Sequence, residues 1–289
     1  MNTTLDIDVL KQWVGRTERM ADTIDAGRAR RMQATLDREP DFAQGEELPP
    51  FWHYIYFNPE VPASKLNEDG HERLGGFLPP VSLKRRMWAG GRIEIERPLH
   101  IGENCVKTST IRDVQLKQGR SGNLCFVSVD HAFEVEGRLR FTERQNIVYR
   151  DIPASGSAQP PGQPAPTDAT ARRTITPDPV LLFRFSALIF YGHRIHYDAD
   201  YTRQAEGYPD LVIQGPLTAA LLAEFGRDQQ PKKKLKSFDI RAIRPLFSPA
   251  PFLIEARSSC DTTETWARGP DGTVAMTLNL TFLPDAQKA

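Results

Sequence analysis

Two histidines three positions apart, His193 and His196, share a short stretch with Tyr191, Asp198 and a Gly215-Pro216 pair that opens an apolar run. An imidazole titrates near neutrality, so it can take up a proton and return it. A carboxylate two residues after His196 can orient that ring and set its tautomer. Pro216 suits a first helical turn, where no N–H is missed. Gly215, at the helix entry, then presents a free N–H under the helix dipole. A base, a carboxylate and a helix N-terminus are the parts of an acid–base site that also steadies a developing oxyanion. No other stretch brings all three so close together. Neither histidine has a carboxylate or thiolate in a convincing third position, so no metal site is expected.

The elements that position these residues follow from periodicity. Residues 183–222 read as a strand-like start, a histidine-bearing loop and an apolar helix over 217–226. Upstream, residues 5–36 are helical in pattern, with Val9, Leu10, Trp13 and Val14 on one stripe and Ile24, Met32 and Leu36 on a second. The aromatic run 48–59 begins with Pro49-Pro50, which forbids helix there, and reads as a buried extended segment. Residues 67–76 are polar and contain glycine, hence a loop. From Gly91 the period becomes two, and Cys125, Val127, Val129, Phe133 and Val135 share one face. Turns are expected at Gly119–Gly122 and at Glu136-Gly137, with a further strand over 138–150. The result is a long-stranded antiparallel sheet with one wet face.

Residues 153–171 are rich in Pro, Ala, Gly and Ser and nearly free of large apolar side chains, so they read as a linker. They separate an N-terminal half, 1–152, from a C-terminal half, 172–289. The second half repeats the first: Arg97-Pro98-Leu99 matches Arg244-Pro245-Leu246, and Gly119–Gly122 matches Gly269–Gly272. Leu78-Pro79-Pro80-Val81 aligns with Gln214-Gly215-Pro216-Leu217, which puts Pro79, without an N–H, at the place of Gly215. With no histidine pair in the first half, one active site per chain is expected, in the second half. A helix followed by long antiparallel strands, twice over, predicts an α+β chain of two sheets, each wrapping a helix.

Composition narrows the class. Lysine plus arginine and aspartate plus glutamate balance at 37 each, for a net charge of zero, which argues against a nucleic-acid partner or a polybasic membrane anchor. No apolar run reaches membrane-spanning length and the N-terminus has no signal-peptide pattern, so a cytoplasmic protein is expected. The three cysteines, Cys105, Cys125 and Cys260, form no metal-type spacing and read as buried thiols.

The segments 75–91 (GGFLPPVSLKRRMWAGG) and 190–198 (FYGHRIHYD), in this order around a linker, carry a family resemblance. The chain resembles the MaoC-like, or hydratase 2, double hot dog family over residues 28–284. Within it, the chain is most similar to the group that contains mesaconyl-C4-CoA and itaconyl-CoA hydratases and their hydroxyacyl-thioester dehydratase relatives. The resemblance implies a double hot dog fold and hydro-lyase activity on a CoA thioester. It also implies no cofactor beyond the CoA of the substrate. The general family motif places Asp where this chain has Tyr191, Asn where it has His193, and His-Gly where it has Gln214-Gly215. An Asp–His dyad at those positions therefore cannot operate here.

Hydration of an enoyl-thioester needs a base for water, a proton for the α-carbon and donors for the thioester oxygen. His196 is the expected base. His193 either orients the same water or supplies the second proton. Tyr191 donates to the water or the thioester, or simply packs. Asp198 either orients His196 or simply forms a turn, and Gly215 is expected to offer its N–H to the thioester oxygen. Arg85 and Arg86 beside Trp88, and Arg241 and Arg244 after the helix, are expected to meet the CoA phosphates and a free substrate carboxylate. A shortened helix in the first half leaves room for a branched acyl group. The leading expectation is hydration of itaconyl-CoA or mesaconyl-C4-CoA to citramalyl-CoA. A dehydratase of fatty acid synthesis and a non-catalytic acyl-CoA-binding protein are the alternatives. A doubled fold already mimics a dimer and leaves both a monomer and a homodimer open.

Overall fold

The computed structural model describes residues 5–119, 122–151 and 161–284. In chain order the elements are α1 (Ile7–Lys11), β1 (Thr17–Thr23), α2 (Ala26–Thr35), β2 (Arg85–Ile95), β3 (Asn104–Gly119), β4 (Gly122–Val135), β5 (Arg138–Arg150), β6 (Ala171–Ile175), α3 (Pro179–Leu188), α4 (Ala199–Gln204), α5 (Gly215–Asp228), β7 (Leu235–Ala242), β8 (Phe252–Ser259), β9 (Thr262–Arg268) and β10 (Val274–Phe282). The ten strands make one antiparallel sheet in the order β1-β3-β4-β5-β2-β7-β10-β9-β8-β6. Each half contributes five strands in the same internal order, and the halves join where β2 pairs with β7. This is the expected double hot dog, with one continuous sheet in place of two.

The internal repeat extends to individual hydrogen bonds. The N–H groups of Glu96 and Arg97 both donate to the Arg140 carbonyl, as those of Ile243 and Arg244 do to the Ala275 carbonyl. The Leu99 carbonyl accepts from Leu48 at 2.8 Å, and the Leu246 carbonyl accepts from Ile213 at 2.9 Å. Leu48 is therefore the counterpart of Ile213, and Pro49-Pro50 of Gln214-Gly215. This corrects the alignment with 78–81. Leu-Pro-Pro occurs twice in the first half, and only the backbone pairing distinguishes the two copies. Pro50 now stands at the place of Gly215, still without an N–H.

Among the described residues, only the second half wraps a helix. Every residue of α5 from Leu217 to Gly226 is buried, as befits a helix that is apolar all round. At the corresponding point the first half has a single 3-10 turn, Trp52–Ile55, flanked by buried Phe51, Tyr56 and Phe57. The segment 48–59 is thus buried as expected but tightly turned and not extended. Trp52 ties it to α5, its Nε1–H donating to Glu224 at 2.8 Å.

Three further expectations are corrected. Residues 5–36 are not continuously helical, because β1 pairs along its length with β3 and that pairing overrides the helical period. The stretch from Phe183 is helix and not strand: Asp178 caps α3, Pro179 opens it, and Leu182, Phe185 and Ser186 form its buried stripe. Cys105 and Cys125 are buried, but Cys260 is exposed. The turn between β4 and β5 is a two-residue reversal in which Glu136 and Gly137 both have positive φ, the geometry that suits strand twist. The turn residues Arg120 and Ser121, Ile152 and the first part of the linker, 153–160, lie outside the described residues. Within 161–170, Ala165 packs against Trp266 and Val274 of the second half.

Candidate active site

The chain leaves α3 through Phe190, whose φ of 46° reverses it, and Tyr191 N–H donates back to Ser186. His193 then precedes a 3-10 turn, Arg194–His196. Four rings meet here: the centroids of His193 and His196 are 5.4 Å apart, those of Tyr191 and His196 5.9 Å, and those of His71 and His193 3.9 Å. His71 comes from the first half, out of the polar loop 67–76.

That loop is locked onto the second half by backbone. Arg194 N–H donates to the Asp69 carbonyl at 2.9 Å. Gly70 has a φ of +89°, and a Cβ there would lie 1.8 Å from the Gly192 carbonyl oxygen, so only glycine permits the approach. Asp69 accepts from Nδ1 of His71 at 2.8 Å, and the Tyr191 hydroxyl is hydrogen-bonded to Nε2 of the same ring. Asp69, His71 and His193 place one ligand-type atom each within 4.8 Å of one another. Both nitrogens of His71 are already engaged, so the group is built as a hydrogen-bond chain.

His196 is held differently from the expectation. Its Nδ1 contacts the Val212 carbonyl at 2.7 Å. A carbonyl only accepts, so Nδ1 carries the proton and Nε2 keeps its lone pair. Asp198 does not orient His196: it caps α4, accepting from Tyr201 N–H at 3.0 Å, and pairs with Arg194 at 2.7 Å. Burial pushes the His196 imidazole down to about 4, and burial with the neighbouring His71, His196 and Arg86 holds His193 far below the usual range. Burial also lowers His71, against the pull of Asp69. The site is a cluster of neutral imidazoles.

Gly215 opens α5, and no side chain caps that end. The Gln214 side-chain amide instead donates to the Leu182 carbonyl and to Ser186. The Trp88 ring lies against Gly215, where a Cβ would come 2.9 Å from Cε3. Gly215 thus lines the cavity at an uncapped first turn, under the helix dipole.

The four arginines separate. Arg86 lies in the site beside the hydroxyls of Tyr191 and Tyr149, and among the described residues no carboxylate forms an ion pair with it. Arg85 is buried but spoken for: it pairs with Glu206 at 3.1 Å and lies over the Tyr208 ring. Arg241 is exposed on β7, on the face opposite the buried Phe238 and Ile240. Arg244 is tied to Asp271 and Thr273 at the cavity edge. The structure therefore gathers His193, His196, Tyr191, Gly215, Trp88 and Arg86 on one cavity of about 1040 Å³. It assigns Asp198 and Arg85 to structural pairs and leaves Arg241 outside. Asp69 and His71 were not anticipated; the available signal was an Asp-Gly-His triplet in a loop read only as a turn.

The family model for hydroxyacyl-thioester dehydratase type 2 matches residues 51–248. The chain belongs to this family. It is a hydro-lyase family by the names of its members. Mesaconyl-C(4)-CoA hydratase of Chloroflexus aurantiacus is 43% identical over 265 residues, covering 91% of this chain and 94% of that protein. Among solved structures, HtdX of Mycobacterium tuberculosis superposes with a TM-score of 0.68 at 18% identity, covering 93% of this dehydratase-family chain and 100% of the other. A second Mycobacterium tuberculosis protein, described as having a double hotdog fold, has a TM-score of 0.57 at 12% identity, covering 93% and 96%. These two likenesses carry the fold. The chain has no helix among its described residues long and apolar enough to cross a membrane.

Proposed function

We propose that the enzyme adds water to a short, branched dicarboxyl-CoA, converting mesaconyl-C4-CoA to citramalyl-CoA. The observation that carries this reading is Arg86: a partly buried guanidinium on the cavity wall, among the catalytic-type side chains, that forms no ion pair among the described residues. A partly desolvated cation without an ion pair favours an anion, and a substrate carboxylate would neutralise it through charge-assisted hydrogen bonds. In a mesaconyl-C4 thioester the free carboxylate sits on the carbon that receives water, so its receptor belongs beside the base. The identity to mesaconyl-C(4)-CoA hydratase supports the same reading.

In this account Nε2 of His196 takes a proton from water, and the oxygen attacks the β-carbon. Charge moves onto the thioester oxygen, which the Gly215 N–H receives at the uncapped end of α5. His193 orients the water. Itaconyl-CoA, with its double bond β,γ to the thioester, enters after the same groups move that bond into conjugation. The chemistry uses protein acid–base groups and the CoA of the substrate, with no further cofactor. The reading places it in itaconate degradation, in the cytoplasm.

A second reading, dehydration of hydroxyacyl thioesters in fatty acid synthesis, is favoured by the cavity, which is roomy for a five-carbon acyl group and has apolar walls at Phe77, Met87 and Ile147. Loss of the enoyl-thioester absorbance separates the two. Fast turnover of mesaconyl-C4-CoA supports the first, and turnover of crotonyl-CoA alone supports the second.

A further inference from the structure

We infer that the proton for the α-carbon is delivered by a relay shared between the two halves of the chain: Tyr191 touches the substrate, His71 stands behind Tyr191, and Asp69 behind His71. The inference rests on the hydro-lyase reading above.

The geometry orders the three groups. Asp69 sits 2.8 Å from Nδ1 of His71 and can only accept, so the ring proton lies on Nδ1. Nε2 is then a lone pair, and the Tyr191 hydroxyl donates to it. A carboxylate, an imidazole and a hydroxyl in this order is the arrangement of a Ser-His-Asp triad, with a phenol as the hydroxyl. The carboxylate fixes the tautomer and steadies the imidazolium when it forms. The pairing is built in: Gly70 against Gly192 and Arg194 N–H on the Asp69 carbonyl hold loop 67–71 on residues 191–194. The general family motif has Asp where this chain has Tyr191. Here a carboxylate returns to the same place from the other half, acting at two removes.

The step balances as follows. Hydration draws on the form in which His71 carries a second proton, a minor form at neutral pH because burial lowers that ring; Nε2–H then donates to the Tyr191 oxygen and the phenolic O–H turns to the cavity. His196 takes a proton from water as the C–O bond forms at the β-carbon. The α-carbon takes the phenolic proton, and Tyr191 recovers one from His71. His71 ends neutral and His196 ends as imidazolium. His196 then loses its proton to solvent and His71 regains one. Tyr191 is thus catalytic, and His71 and Asp69 are positioning residues. The groups that face His71 are Asp69, Tyr191, His193 and Arg86.

The test is hydration of mesaconyl-C4-CoA and crotonyl-CoA by wild type, Tyr191→Phe, His71→Gln, the double variant and His196→Ala, each across pH. The relay predicts that Tyr191→Phe and His71→Gln each lower kcat about 10²-fold with KM nearly unchanged. Both should lose the fall in kcat with rising pH that marks deprotonation of His71, a limb that begins below the ordinary histidine value because burial lowers the ring. The double variant should lose no more than either single, because the residues act as a unit. Variants that keep kcat within about threefold and keep that limb overturn the relay, and losses that multiply do so as well. If His196→Ala alone abolishes turnover, the relay fails and the hydratase stands; if wild type hydrates neither thioester, both fail. Nitrogen-15 histidine spectra of the wild type test the geometry without turnover. The relay requires a protonated Nδ1 on His71 and an Nε2 shift that moves in Tyr191→Phe; an unmoved Nε2 contradicts it.

Discussion

Nδ1 of His196 donates to the carbonyl oxygen of Val212, two residues before the Gln214-Gly215 entry to α5. One bond thus holds the proposed base and the proposed oxyanion donor in a common frame, both on the cavity wall. His196→Ala should reduce kcat by roughly 10²- to 10⁴-fold. It should lower stability only modestly, by about 1 kcal/mol for the orphaned carbonyl. Steady-state kinetics with a melting curve on the same sample check this. A large fall in melting temperature would mean that the lost activity reports folding and not chemistry.

Burial also sets the pH behaviour. His196 is held down to about 4 from an ordinary value of 6.5, so it stays neutral and competent as a base through mild acid. The acid limb of kcat/KM should therefore fall near pH 4 and not near 6.5, as a pH–rate profile will show.

The same shift has a stability consequence with the same sign of slope as that of a salt-bridged carboxylate, but in a higher pH window. His196 and His131 both titrate near 4 when folded, so between about pH 6.5 and 4 the unfolded chain binds protons that the folded chain refuses. Their contribution is complete above pH 6.5 and declines as the pH falls to about 4. Melting temperature should drop across this window, and His131→Gln should make the drop shallower. An equally steep decline in that variant would assign the effect to other groups.

Gly70→Ala tests the lock between the halves. It meets a backbone oxygen at 1.8 Å and keeps a φ of +89°. It should cost at least about 1–3 kcal/mol from the strained backbone alone, and kcat should fall as loop 67–71 leaves the site. Gly45→Ala is the control, with a φ of +84° but open space around it. It should cost about 1 kcal/mol and leave kcat unchanged.

Much of this was legible in the chain. The alternation along 122–150, the Arg-Pro-Leu repeat and the histidine pair before Gly215-Pro216 are local patterns, and local patterns survive folding. What was not legible depended on pairing at a distance. Thr17–Thr23 becomes a strand because β3 offers it an edge. Asp198 stood closest to His196 in sequence, yet the cap of α4 claims it. His71 is 120 residues from Tyr191, and only the closure of the two halves brings them together. Arg85 and Arg86 looked alike in sequence, and the strand sends one to Glu206 and the other to the site.

The most direct measurement is kcat/KM of wild type and Arg86→Gln on mesaconyl-C4-CoA and on crotonyl-CoA. A carboxylate held by Arg86 is worth about 1.5–3 kcal/mol, so the variant should lose roughly 10- to 10²-fold more on the dicarboxyl thioester than on crotonyl-CoA. Wild type should strongly prefer the former. Equal losses on both substrates, or a wild type that prefers crotonyl-CoA, would contradict the carboxylate-receptor role and with it the proposed substrate.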